Sequence, residues 1–205
     1  MVAEYRSAAH TNVLAGWLIE IGASPDLIRD ALRIVGDELT HAELSGDVLA
    51  AAGGALGKPV RRETLQLRRT EPLEIAVIGV AVELFCLGET VAVPLFRRML
   101  AGATVPVARS ALRRIVADEA RHRRFGWDLL AWCRVTSPTY VDAVLTHDLP
   151  GMMSRVYRSY GEGRQAEIPD ECRAWGLIAP AEYAEDLRKT EQAWWRRRLG
   201  CPTTS

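Results

Sequence analysis

A five-residue pattern, Asp-Glu-x-x-His, occurs twice in the chain, at residues 37–41 and 118–122. A glutamate and a histidine three positions apart lie on one face of an α-helix, so each copy can present a carboxylate oxygen and an imidazole nitrogen to one point. One copy alone is most often a surface pair. Two copies indicate two matching halves of a metal site. The pairs are Glu38 with His41 and Glu119 with His122.

The elements that carry these motifs are predicted to be helices, because apolar residues recur every three or four positions over long stretches. Gly22 can adopt the left-handed conformation that ends a helix. Ser24 and Pro25 then start the second helix, as a capping hydroxyl and as a residue that needs no amide partner. Pro94 is expected to kink the third helix. The four predicted helices span residues 3–21, 25–52, 73–100 and 107–135.

The rest of the chain follows a different pattern. Residues 53–72 are basic, contain glycines and lack a helical period, as expected for a long connection between the second and third helices. A fifth helix is predicted at residues 137–160, with a break at Pro150 and Gly151. After a loop with a short helical piece, a sixth helix is predicted at residues 181–199.

A site in a helical bundle also needs one carboxylate from each partner helix. In an antiparallel pair, residues equally distant from the turn are level, since each residue rises about 1.5 Å. Glu89 and Glu119 are both fifteen residues from a turn centred near residue 104, and Glu4 and His41 are nearly level about a turn near residue 23. Glu4 and Glu89 are therefore the favoured partners, with Glu83 in reserve.

The neighbours of these residues have two interpretations. Asp37 and Asp118 either accept the free ring N–H of a ligand histidine or are exposed acids in mid-helix. Arg121 is either a surface charge or a partner for such an acid. Aromatic and apolar residues on helix faces are usually core, but some could form an apolar wall beside Glu89. The candidates for that wall are Phe85, Cys86, Val93 and Leu14.

Composition narrows the functional classes. The chain has 205 residues with 26 basic and 26 acidic side chains, so no overall charge draws it to nucleic acid or to a membrane. No stretch has eighteen uninterrupted apolar residues and the N-terminus lacks a secretion pattern, so we expect a cytoplasmic protein. Its four cysteines lack the spacing of a zinc site or a disulfide scaffold, and we expect reduced thiols.

These residues resemble the ferritin-like diiron carboxylate superfamily over about residues 3–135. The most specific part is 118–122, which carries the Asp-Glu-x-Arg-His signature of that superfamily, whereas 37–41 has Thr40 in place of the arginine. Residues 4–7 and 88–90 also look like the ligand segments of small bacterial ferritin-like proteins.

The resemblance implies an all-α, ferritin-like four-helix bundle within one domain of residues 1–205. The core bundle would occupy residues 3–135, and accessory helices at 137–199 would pack outside it. It also implies two iron ions, or manganese or a mixed manganese–iron pair. Two divalent ions would balance the four carboxylates. The implied ligands are Glu4, Glu38, His41, Glu89, Glu119 and His122.

The function expected from this resemblance is a diiron oxidase or oxygenase that uses dioxygen to oxidise a small organic molecule. Hydroxylation, N-oxygenation, desaturation and oxidative cleavage all remain open. The alternatives are a ferroxidase or iron-handling protein and a bundle that holds metal for stability. We expect a homodimer, and a separate electron donor unless the substrate supplies the electrons, because no pair of Cys-x-x-Cys motifs is present.

Overall fold

The computed structural model describes residues 2–55, 60–160 and 167–200. Within these ranges every regular element is helical and no strand occurs, which confirms the all-α class. Contacts between Cα atoms divide the chain into two compact units, residues 1–77 and 78–205. The four-helix bundle and the single domain stay predictions, and each unit is described by itself.

The first unit is built on a helical hairpin. Helix α1 (Val2–Glu20) and helix α2 (Pro25–Ala51) pack against each other, close to the predicted bounds. Gly22 has φ 70° and reverses the chain, as predicted. Ser24 is the residue that precedes α2, but its hydroxyl makes no bond to the helix amides. It binds the Asp26 carboxylate instead, and this hydrogen bond lowers the pKa of Asp26.

A side-chain hydrogen bond gives the register of this hairpin. Ser7 Oγ donates to Glu38 Oε1 at 3.1 Å, so these two residues are level. Glu4 lies three residues before Ser7 and His41 three residues after Glu38, so they are level as well. The short 3₁₀ helix Arg62–Leu65 also packs on α1, where His10 Nε2 lies 3.1 Å from the Thr64 carbonyl oxygen.

The second unit is built around a long, mostly buried helix and its antiparallel neighbour. The long helix, whose residues 73–77 belong to the first unit, consists of α3 (Leu73–Val80), a π-helical segment (Ala81–Glu89) and α4 (Thr90–Gly102). The segment Ala81–Glu89, which we call the π segment, was not predicted, and Pro94 lies in α4 beyond it. After a short turn, α5 (Pro106–Thr136) runs back along the π segment and α4.

The two helices approach each other most closely at Gly126. A Cβ atom at this position would lie 2.3 Å from Phe85 Cβ and 3.0 Å from the Phe85 carbonyl carbon. Phe85 also packs edge-on against Phe125, with ring centroids 4.9 Å apart. Only glycine at residue 126 therefore allows α5 to lie this close to the π segment.

The C-terminal helices complete the second unit. The predicted break in the fifth helix falls at Asp148, and the predicted sixth helix has a π-helical segment of its own. Arg98 of α4 donates to both carboxylate oxygens of Asp186, each at 2.7 Å, which ties the first part of the predicted sixth helix to α4. The elements are α6 (Pro138–His147), α7 (Leu149–Ser159), α8 (Asp170–Arg173), α9 (Pro180–Thr190), the π-helical Glu191–Trp195 and α10 (Arg196–Leu199).

One helix in the described chain, Leu73–Gly102, is long and apolar enough by length and composition to cross a membrane. Within its most apolar stretch, 67% is buried inside the protein, as in the core helix of a folded domain. Cys86, Cys133 and Cys172 are free thiols, whereas Cys201 lies outside the described residues.

Candidate metal centre

The first unit contributes the Glu38–His41 pair. Both side chains are almost fully buried, at 1% and 0% exposure. His41 Nδ1 lies 3.7 Å from Glu38 Oε2, because a separation of three residues stacks the two side chains on one face of α2. Two ligand atoms at this distance can bind one ion, since metal–oxygen and metal–nitrogen bonds are about 2.0–2.2 Å long.

The second unit contributes a pair with the same geometry. His122 Nδ1 lies 3.5 Å from Glu119 Oε2 on α5, and both residues are buried. Glu89, at the end of the π segment, is also buried and offers a carboxylate oxygen within 4.8 Å of a His122 ring nitrogen. In this unit, the structure brings together a carboxylate of the long helix and the Glu-x-x-His pair of its neighbour.

Glu4 is placed differently from the other five predicted ligands. It is only half-buried, one turn of α1 before Ser7. It is level with His41 in the hairpin, but it is not among the buried groups within metal-binding distance of one another.

The acids that precede each glutamate are buried, which excludes their interpretation as exposed acids. Asp118 accepts hydrogen bonds from Arg114 Nε and Arg121 Nη2, each at 2.6 Å. Arg121 is thus a partner of this acid. Because the aspartate is one residue before Glu119, the two guanidinium groups fix the turn of α5 that carries the glutamate.

Two side chains from the C-terminal helices hold the π segment. Trp195 is fully buried and its Nε1–H donates to the Cys86 carbonyl oxygen at 3.0 Å. The Tyr160 hydroxyl donates to the Gly88 carbonyl oxygen at 3.3 Å. A π helix shifts the backbone bonds from four to five residues apart, and such segments are frequent at functional sites. The accessory helices therefore help to position Glu89, a role that was not predicted for them.

The reserve ligand and the predicted apolar wall have other contacts. Glu83 forms a two-pronged salt bridge with Arg155, at 2.6 and 2.7 Å, and is partly exposed. Cys86 Sγ donates to the Gly126 carbonyl oxygen at 3.4 Å, and burial raises the pKa of this thiol far above its usual range. Phe85 packs on α5, and all four predicted wall residues are buried core side chains.

Sequence reasoning missed four residues near these groups. Ser7 and Thr11 lie on the same face of α1 as Glu4. Trp195 and Tyr160 contact the π segment, although both are distant from it in the sequence. A single aromatic residue on a helix has no distinguishing spacing, so no sequence signal marks Trp195 or Tyr160. The polar stripe Glu4–Ser7–Thr11, with steps of three and four residues, was the one visible hint.

The chain was compared with family models, curated proteins and solved structures, and it matches none of them. The comparisons therefore assign no family, and the described residues establish only a general class of protein. Every regular element in the described ranges is helical, and the chain carries buried glutamate and histidine side chains that could hold a metal ion.

Proposed function

We propose that the two Glu-x-x-His pairs combine into one dinuclear metal centre, and that the protein is a diiron oxidase or oxygenase acting on a small organic molecule. The observation that carries the proposal is the matched geometry of the pairs. In each, a buried Nδ1 lies beside a buried Oε2, at 3.7 Å in one unit and 3.5 Å in the other. The proposed ligands are Glu4, Glu38, His41, Glu89, Glu119 and His122.

The donor set fits iron. Carboxylate oxygens with one imidazole per metal favour iron or manganese over copper. Burying three of these carboxylates is costly unless cations offset their charge. Two divalent ions would neutralise the four glutamates, so the burial of acids supports two ions better than one.

The chain's own residues prepare the centre in three ways. Arg114 and Arg121 neutralise Asp118 and hold the Glu119 turn. Cys86 stays protonated, because burial raises its pKa, so the thiol does not compete as a thiolate ligand. Buried Phe85, Val93 and Leu14 contribute apolar surface in their own units and keep water out of the core. A bound pair of ferrous ions can transfer electrons jointly to dioxygen.

Metal content and oxygen reactivity test this function. Protein purified without chelators should contain about two irons per chain, and anaerobic Fe(II)-loaded protein should develop a transient visible absorbance on mixing with oxygen. Uptake of many irons per chain without an organic partner would make it a ferroxidase. A single redox-silent zinc whose removal by a chelator lowers the melting temperature would make the metal structural.

A further inference from the structure

Thr11 carries a buried hydroxyl that nothing in the described chain uses. The residue is 0% exposed, and its Oγ1 has no hydrogen-bond partner among the described residues. It is the only polar side chain among the six buried residues of α1. Leaving a buried hydroxyl unpaired costs free energy, so a ligand that pairs with it would recover this energy.

Other hydroxyl side chains on helices of this protein find a hydrogen-bond partner within their own helix. Thr40, Thr136 and Ser154 each donate to the carbonyl oxygen four residues earlier, at 2.9–3.0 Å. The same bond is open to Thr11, because threonine in a helix can turn its hydroxyl towards that carbonyl. Thr11 does not make it, and its oxygen stays available for another partner.

The surroundings of Thr11 indicate what this partner is. Four residues earlier on the same face, Ser7 binds Glu38, so Thr11 lies about 6 Å along α1 from a proposed metal ligand. By the hairpin register, Thr11 is level with Ile34, and the next turn of α1 presents Leu14, both buried and apolar. The position therefore offers one hydroxyl in apolar surroundings, beside a carboxylate that would repel an anion.

We propose that Thr11 is a substrate-positioning residue, whose hydroxyl hydrogen-bonds a neutral oxygen group, a hydroxyl or carbonyl, on a small and otherwise apolar molecule. This inference rests on the proposed function and gives its substrate a chemical class. Thr11 holds the molecule by its polar end, so that an apolar part is presented towards Glu38.

The first test measures whether the hydroxyl has a structural role. In metal-free protein, Thr11→Val should melt at or above the wild-type temperature, because valine has nearly the same shape and no group to leave unpaired. Thr40→Val, which loses a bond to the Gly36 carbonyl on a more exposed face, is the matched control. A drop of several degrees for Thr11→Val alone would show that the hydroxyl has a structural partner, and would overturn the proposal.

The second test measures ligand binding with 1-butanol and its charged counterpart butyrate, by the shift in melting temperature on titration. Both metal-free and anaerobic Fe(II)-loaded protein are titrated. We expect 1-butanol to bind wild type and Thr11→Ser and to bind Thr11→Val about tenfold more weakly, with butyrate binding weak in the metal-free protein, where the Glu38 carboxylate is not neutralised. Equal binding by wild type and Thr11→Val, preferred binding of butyrate by the metal-free protein, or no binding of 1-butanol by wild type would each refute the inference.

The metal content of the same samples separates the two proposals. Wild type that takes up no iron contradicts the diiron function, while the 1-butanol titration of metal-free protein still decides the role of Thr11. Thr11→Val should retain the wild-type iron content, because Thr11 is not a proposed ligand.

Discussion

The Asp-Glu-x-x-His motif has different surroundings in the two units. In the second unit, Glu119 follows an aspartate bound by two arginines, and Glu89 ends a π segment held by Trp195 and Tyr160. In the first unit, Glu38 accepts a hydrogen bond from Ser7, and Thr40 occupies the place of Arg121. The second half-site is held by side chains of α5 and of the C-terminal helices, and the first half-site lies on the hairpin of α1 and α2.

This difference suggests a division of labour. Side chains that are held by packing and by hydrogen bonds keep metal ligands in place before the metal arrives. A half-site with a half-buried Glu4 and a buried, unpaired hydroxyl at Thr11 is better suited to admit a ligand. We therefore expect changes in the second unit to affect stability and metal retention, and changes in the first to affect binding of small molecules.

The largest effect is expected for Glu89. Glu89→Gln removes a charged ligand near His122 and should abolish occupancy by two metals, measured as iron per chain after anaerobic loading and desalting. Glu83→Gln is the control on the same helix. It breaks a partly exposed pair with Arg155, which contributes at most about 1 kcal/mol, and should keep both metals. If Glu89→Gln retained two metals and Glu83→Gln lost them, the ligand of the π segment would be Glu83 and not Glu89.

Gly126→Ala tests the close packing of the braced half. The added Cβ atom would lie 2.3 Å from Phe85 Cβ and 3.0 Å from the Phe85 carbonyl carbon. The variant should therefore lose about 1–3 kcal/mol of unfolding free energy, measured in urea titrations. Gly16→Ala is the matched change in the first unit. Nothing lies within 4 Å of the Cβ position there, and the alanine should gain about 0.5–1 kcal/mol. Similar values for the two variants would remove the contrast between the units.

Trp195→Phe tests the brace on the π segment itself. Phenylalanine retains most of the side-chain volume but leaves the Cys86 carbonyl oxygen without its hydrogen-bond donor. We expect this to lower the free energy of unfolding by about 1–3 kcal/mol. The affinity for the second iron should also fall, which competition with a chelator would measure. Trp17→Phe, which loses the same volume from a buried site in α1, is the matched control. If both variants bind iron equally, Trp195 does not position Glu89.

Local sequence signals predicted much of the helix pattern. Gly22 ends the first helix with a positive φ, Pro25 begins the second, and the bounds of α5 agree within one residue. The π segment could not be predicted, because local sequence does not distinguish a π-helical turn from an α-helical turn in the mostly apolar run from Ala81 to Glu89. Its partners are Gly126, Tyr160 and Trp195, so it depends on contacts made far along the chain.

The candidate site divides in the same way. Spacing alone identified the two Glu-x-x-His pairs, since ligands three residues apart must share a helix face. The apolar wall was inferred from α-helical spacing before Glu89, and a π segment changes that spacing. Phe85 and Cys86 accordingly pack against α5. The roles of Asp118 and Arg121 became clear only from their burial and pairing, because a mid-helix acid can be exposed or buried with the same sequence.

The smallest expected effect is a pH response of the first unit. Burial is the main cause that lowers the pKa of His10, with Arg6 adding to it, although the bond to the Thr64 carbonyl acts in the opposite direction. A depressed histidine pKa means that protonation favours the unfolded chain. The contribution of His10 to stability is therefore complete above about pH 6.5 and declines as the pH falls through that value towards the lower folded pKa. Metal-free wild type should lose more stability between pH 7.5 and 5.5 than His10→Gln, whose amide can still donate to Thr64. Equal losses, measured by urea titration at both pH values, would show that the first unit owes no pH sensitivity to this histidine.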